Sequence, residues 1–283
     1  MRFITALLNL VLLICPCALC YGQISFASVS GEGGYAAMRG SFMWDLDNGL
    51  TLIPAGGFYR ISDKEEDETG TTGKVALMAK YELTDTISVL VAGHYIPRRL
   101  GFENMGYWVG LEDTLCYHCG PLKNPYVRLL TGQSFYDITA YANGQSYPKG
   151  FNTTATIASG EVGTEVGKFF VQARYDKVIK YNHRPPSYLA SNWTEIPFMT
   201  AIIQGFISDG AAGKISYRTR WLTPYAVYAR YKYLEKGRSV TALGGGLSLV
   251  WGKTILSGGI ENFESNWEAK RRNYFSFSAS MEF

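Results

Sequence analysis

The sequence predicts an all-β chain closed into a single antiparallel transmembrane β-barrel of about 12 to 14 strands. Three observations carry this. After residue 33, segments of about ten residues alternate apolar with polar side chains and are separated by turn chemistry. The composition suits it, with 20 Tyr, 15 Phe, 6 Trp and 31 Gly, and only 18% charged residues against about 25% in soluble domains. The chain ends on ten residues that alternate without a break. A mean hydropathy of −0.05 excludes a bundle of apolar membrane helices but suits a barrel, in which half of each strand faces lipid.

Residues 1–22 read as a secretory leader and 23–283 as the barrel. Arg2 supplies one positive charge, Phe3 to Leu19 is mostly apolar, and small residues surround a processing point near Cys20 and Gly22. A lipoprotein is disfavoured because Ile14, Pro16 and Leu19 directly precede the leader cysteines. With 27 basic residues, one of them Arg2, against 24 acidic, the mature charge is near balance, which argues against bulk nucleic-acid binding.

The strands follow from face counting. Val75, Leu77, Ala79, Tyr81 and Leu83 share one face of Lys74 to Thr84, and Ile87, Val89, Val91 and Tyr95 continue it across Asp85, which makes a hairpin. The split recurs in Lys168 to Asp176, Lys214 to Trp221 and Tyr225 to Tyr233. Further strands are expected at Tyr35 to Leu46 and Leu50 to Arg60, around Asp47-Asn48-Gly49, and at Met105 to Glu112, Tyr126 to Leu130, Phe135 to Ala142 and Thr153 to Glu161. The last are Pro197 to Ile207, Ser239 to Trp251, Thr254 to Asn262 and Tyr274 to Phe283. The total is odd, whereas such barrels are even with both termini periplasmic, so at least one assignment is wrong, and Phe135 to Ala142 and Thr153 to Glu161 carry the weakest pattern. Asp85, Thr223-Pro224 and Gly252-Lys253 are read as tight periplasmic turns. Ser62 to Gly73, Asp113 to Asn124, Asn143 to Asn152, Asn182 to Glu195 and Phe263 to Asn273 are read mostly as extracellular loops.

In the final strand Phe275, Phe277, Ala279, Met281 and Phe283 oppose Ser276, Ser278, Ser280 and Glu282. This ending resembles that of Gram-negative outer-membrane β-barrel proteins of the porin-like class. The resemblance spans about residues 24 to 283 and implies an outer-membrane location, surrounding lipid and lipopolysaccharide, and recognition of those five residues by the barrel-assembly machinery. It implies fold and compartment, and no named family within the class.

Lys74, Lys80, Arg174, Lys214, Arg218, Arg220, Arg230 and Lys232 fall on the polar faces, opposed mainly by Glu82 and Asp176. A Lys or Arg at the bilayer midplane costs about 2 to 4 kcal/mol, so these eight are expected to line the lumen or its rims. A basic lumen favours anions, which points to passive diffusion of small hydrophilic or anionic solutes. The alternatives are a closed barrel whose ion-paired interior leaves function to its loops, and a barrel hydrolase acting on lipid. For the hydrolase the histidines are few: His94, His118 and His183. Ser88, on the face of His94, is roughly 20 Å away at about 3.3 Å per residue, so the chain reads as non-enzymatic.

Cys116 and Cys119, exported with the chain, are expected to form a disulfide that constrains a loop, with a metal held by Cys116, His118 and Cys119 as the weaker alternative. No cofactor is expected. The acidic run from Asp63 to Glu68 reads as a solvated loop, and Asn152-Thr153-Thr154 and Asn192-Trp193-Thr194 as chance glycosylation matches. Tyr95, Trp108, Trp221, Tyr225, Tyr233, Trp251 and Tyr274 read as interfacial girdles.

Overall fold

The computed structural model describes residues 22–31, 35–46, 48–63, 68–99, 102–138, 141–142, 145–146, 151–185, 193–200, 202–265 and 271–283. Among these residues, fourteen long antiparallel strands form one closed sheet, to which the two-residue strand His118–Cys119 is appended. They are β1 (Gly22–Gly31), β2 (Ala36–Leu46), β3 (Leu50–Asp63), β4 (Glu68–Glu82), β5 (Ile87–Arg99), β6 (Phe102–Thr114), β7 (Leu122–Ile138) and β8 (Phe151–Val166). The remainder are β9 (Phe169–Tyr181), β10 (Ile207–Tyr217), β11 (Leu222–Tyr233), β12 (Ser239–Trp251), β13 (Thr254–Ser265) and β14 (Arg272–Glu282). Each strand pairs with the next, and β1 pairs with β14 from Gln23 opposite Glu282 to Gly31 opposite Tyr274. Closure leaves no strand edge with unpaired backbone groups in lipid.

Gly22 and Phe283 lie at one end, periplasmic by the convention for this architecture. The connections there are short. Gly167 and Gly252 begin two-residue turns with φ of 60° and 61°, a left-handed conformation that glycine takes without strain. Leu83–Thr86 closes the β4–β5 hairpin, and Thr84 Oγ1 accepts from the Ile87 amide.

Alternation sets the two faces. In β9, Phe169, Val171 and Tyr175 stand exposed on the outside while Arg174, Asp176 and Val178 turn inward. Around the barrel Leu77, Val91, Val109, Leu111, Leu129, Ile215, Leu243, Leu247 and Ile260 are exposed large apolar residues. In water such a belt would drive association; in a bilayer it is the lipid face. Trp221, Trp251, Tyr217 and Phe169 ring its periplasmic edge, the rings of Phe169 and Tyr217 5.1 Å apart.

The structure revises four segment expectations. β1 is an additional strand; its outward face carries Ile24 and Phe26 but its other face is Ser, Ala and Val, so its alternation is weak. Gly22, assigned to the leader, opens it opposite Trp44. Tyr126–Leu130 and Phe135–Ala142 are joined through Thr131–Ser134 into the single strand β7, with Gly132 inside it. Pro197–Ile207 is not a wall strand. Its apolar residues Met199, Ile202 and Phe206 pack inside the barrel. Thr223 and Pro224 lie within β11, and the turn falls at Arg218–Trp221. One loop also changes side: Leu115–Pro121, with Cys116 and Cys119, connects β6 to β7 at the periplasmic end.

Candidate functional site: the barrel lumen

On the wall from β4 to β11, charge is arranged in a ladder. Lys80 Nζ donates to Glu112 Oε1 at 2.8 Å, and Arg128 Nε donates to Glu112 Oε2 at 2.7 Å. Arg128 reaches Glu161 Oε1 at 3.4 Å, and Arg174 lies 3.9 Å from Glu161 and 2.9 Å from Asp176. Tyr126 donates to Glu161 at 2.7 Å, while Ser159 and Tyr231 donate to the two oxygens of Asp176 at 2.6 and 2.7 Å. Lys80, Arg128 and Arg174 are thus balanced by Glu112, Glu161 and Asp176. On the consecutive strands β6 to β9, Glu112, Arg128, Glu161 and Arg174 stand directly opposite one another, while Lys80 and Tyr231 reach in across β5 and β10, so each carboxylate meets two cations or a cation and hydroxyls.

A chain segment from Trp193 to Phe206, in the connection between β9 and β10, crosses the interior. A short antiparallel pair, Trp193–Glu195 with Ile202–Gln204, forms its arms. The Met199 amide donates to the Ile196 carbonyl in the bend, where Phe198 has φ 66°. Ile196, Met199 and Ile202 are buried against a cluster that includes Val227, Ala229, Tyr231, Val240, Ala242 and Phe263. The Thr200 amide donates to Glu261 Oε1 at 2.8 Å. Phe206 lies between Tyr136 and Tyr181, with ring centroids 5.4 and 5.8 Å away.

The same segment places Glu195 on the opposite wall. Tyr59 Oη donates to Glu195 Oε1 and Lys74 Nζ to Oε2, each at 2.8 Å, and Arg39 Nη2 lies 3.8 Å from Oε1. Enclosure within the barrel would by itself raise the Glu195 carboxyl, although its side chain stays accessible from the lumen, but Lys74 and Arg39 hold it down at about 2. Because folding lowers it from the ordinary 4.5, the contribution of this contact is complete above that value and is lost only as pH falls toward 2. Beside it lies a pocket of about 440 Å³ with Ser25, Ser41, Ala55, Gly57, Ser278 and Ser280 in its wall. Small side chains on β1–β4 and β14 leave this space.

Of the eight expected lumen cations, Lys74, Lys80, Arg174 and Lys214 lie on inward faces, Lys214 with its ammonium 5.1 Å from the Tyr225 ring centroid. Arg218 and Arg220 sit in the periplasmic turn; Arg218 pairs with Glu165 and stacks at 4.6 Å on Phe170, and Arg220 lies 5.1 Å from the Trp221 ring. Arg230 and Lys232 are a correction, because they point outward. On β11 the odd residues Val227, Ala229 and Tyr231 turn in, since the interior there is filled by the apolar crossing segment. The even residues are left outside near the extracellular end, where an outward cation costs only about 0 to 1 kcal/mol.

The same inversion moves several aromatics. Tyr95, Trp221 and Trp251 are exposed outward, whereas Tyr274 is buried inside and Trp108, Tyr225 and Tyr233 pack on the interior cluster. Arg39, Tyr59, Glu112, Arg128, Glu161 and Glu195 are site residues that face counting had not singled out. Parity alone would have turned Glu112 and Glu161 inward, opposite Leu111 and Val162. Glu195 carries no such signal because it lies outside any wall strand.

Cys116 and Cys119 are disulfide-bonded, with Cα atoms 6.1 Å apart. His94 shares a hydrogen bond with Asn104 Oδ1, and Asn104 Nδ2 donates to Ser134 Oγ at 2.8 Å. The amide stands between imidazole and hydroxyl, so this is not the base-to-nucleophile contact that a serine hydrolase uses. Lys64 to Asp67 of the acidic run lies outside the described residues, as do residues 1–21 and Asn192 of the second glycosylation match. Asn152 of the first match lies in β8.

Comparison with known proteins reveals the same architecture. The chain aligns with the CymD monoaromatic hydrocarbon channel over 93% of its own length and 88% of that protein's, with a TM-score of 0.55 and 11% identity. It aligns over 94% of its length with CdiB from Acinetobacter baumannii, at a TM-score of 0.54 and 8% identity, and spans 60% of that protein. No family model and no curated protein matches the chain. The fold is therefore that of an outer-membrane-type β-barrel, shared with a channel.

Proposed function

We propose that this chain is an outer-membrane channel for passive diffusion of small hydrophilic or anionic solutes. The observation that carries the reading is the pocket of about 440 Å³ on the β1–β4 and β14 side, beside the crossing segment and bordered by Arg39, Lys74 and Glu195, two cations against one carboxylate. A focused positive potential there raises the local concentration of anions. The likeness in fold to CymD, itself a channel, supports it. Lys74, Lys80, Arg174 and Lys214 are the candidate solute contacts, with Arg218 and Arg220 at the periplasmic rim. Refolded protein in a planar bilayer is expected to give stable steps whose reversal potential in a salt gradient indicates anion preference. Cation preference or no channels from a folded barrel overturns this reading.

The charge-balanced ladder favours a second reading, a closed barrel acting through its loops, and silence in the bilayer would select it. In either case the leader, ending at Cys20 so that Gly22 stays in β1, directs export, and Phe275, Phe277, Ala279, Met281 and Phe283 serve the barrel-assembly machinery. Lipopolysaccharide is the outward partner. Lys177, Asp209 and Lys232 stand side by side on β9, β10 and β11 facing the outer leaflet, with Asp209 3.7 Å from Lys177 and 3.2 Å from Lys232. With Arg230 they leave a positive excess at the depth of phosphorylated headgroups. Exchanging Lys177, Arg230 and Lys232 for Ser should lower the phosphorylated glycolipid that co-purifies with the barrel, and unchanged lipid phosphate refutes the contact.

A further inference from the structure

We propose that Arg39, Tyr59 and Lys74 form a carboxylate-binding site on the barrel wall, that Glu195 occupies it as the chain's own ligand, and that a small organic acid takes its place there during passage. This rests on the channel reading above. The donors come from three adjacent wall strands, β2, β3 and β4, and owe their positions to the barrel rather than to the crossing segment. Each Glu195 oxygen has its own donor at 2.8 Å, and Arg39 is set beside them with its guanidinium 5.3 Å from the Tyr59 ring centroid. Two donors spaced for two oxygens suit a planar carboxylate.

The partners differ in accessibility. Side-chain exposure is 24% for Arg39 and 18% for Lys74 but 42% for Glu195, so the cations belong to the wall and the acid is the accessible half. Two partly buried cations without a counter-charge are costly, so the site requires an anion. Exchanging one carboxylate for another preserves the charge balance, whereas withdrawing Glu195 without replacement does not. The adjoining pocket, at about 440 Å³, has room for the body of such a solute, and Ser25, Ser41, Ser278 and Ser280 offer it hydroxyls.

The experiment uses the mature barrel in planar bilayers, with chloride as carrier and benzoate as the probe. Glu195→Ala, and Glu195→Gln as a shape-conserving control for folding, should lower the benzoate concentration for half-block by about tenfold, the effect of removing a tethered competitor worth about 1.4 kcal/mol. Adding Lys74→Met to Glu195→Ala should abolish the block, and adding Tyr59→Phe should weaken it. Unchanged benzoate sensitivity in both Glu195 variants overturns the proposal, as does equal block by neutral benzamide or by inorganic phosphate. If neither wild type nor variant conducts, the channel reading fails by itself. Benzoate titration calorimetry on folded Glu195→Ala then decides the site, with binding that Lys74→Met removes supporting it and absence of binding overturning it.

Discussion

Replacing Trp193–Gln204 with a Gly-Ser linker of equal length is expected to raise single-channel conductance several-fold. The segment is pinned on both sides of the interior, by Glu195 on Tyr59 and Lys74 and by Thr200 on Glu261. Eight strands close on an interior that side chains fill, whereas barrels of 16 to 18 leave an aqueous channel. Fourteen strands lie between these limits, so what fills the interior beyond the wall side chains decides the bore. The linker removes Ile196, Met199 and Ile202 and uncovers Val227, Ala229, Val240, Ala242 and Phe263. At about 1.5 to 3 kcal/mol for each fully buried large side chain, and with Arg39 and Lys74 left without Glu195, the cost is several kcal/mol. The lipid face and strand register are untouched, so the variant should still migrate on gels as a heat-modifiable folded barrel. Conductance equal to wild type in a folded variant would mean that the segment is not the constriction.

The sequence disclosed the wall better than its contents, for a physical reason. Lipid imposes the same demand on every wall strand, and the resulting period-two pattern is readable in β4, β5, β9 and β14. It fades where the demand is weak. β1 presents Ser25, Ala27, Ser28 and Ser30, which suit either face, and in β7 Leu129-Leu130 and Gly132 interrupt the alternation. The rule that charge turns inward assumes a polar interior. It holds for Lys80 and Arg174 and reverses at Arg230 and Lys232, because β11 faces apolar residues of a segment distant in sequence. Glu195 and the cations it meets are more than a hundred residues apart, a juxtaposition that exists only after the barrel closes.

Glu161→Leu should destabilise the barrel by about 2 to 3 kcal/mol and move the reversal potential toward anions. Glu161 is 7% exposed and meets Tyr126, Arg128 and Arg174. Breaking a buried ion pair costs about 3 to 5 kcal/mol when a charge is left alone. Here each arginine keeps a carboxylate, Glu112 for Arg128 and Asp176 for Arg174, and both are about a quarter exposed, so the loss falls below that range. The ladder then holds three cations against two acids, and the excess charge faces the lumen. Glu161→Gln separates charge from shape: the amide can still accept from Tyr126, so stability should recover in part while the selectivity shift remains. Denaturant unfolding in lipid vesicles and reversal potentials measure the two effects. A double-mutant cycle with Arg128→Met should give a coupling of about 0.5 to 3 kcal/mol. Zero coupling together with unchanged selectivity would show that the ladder neither braces the wall nor faces the permeating ions.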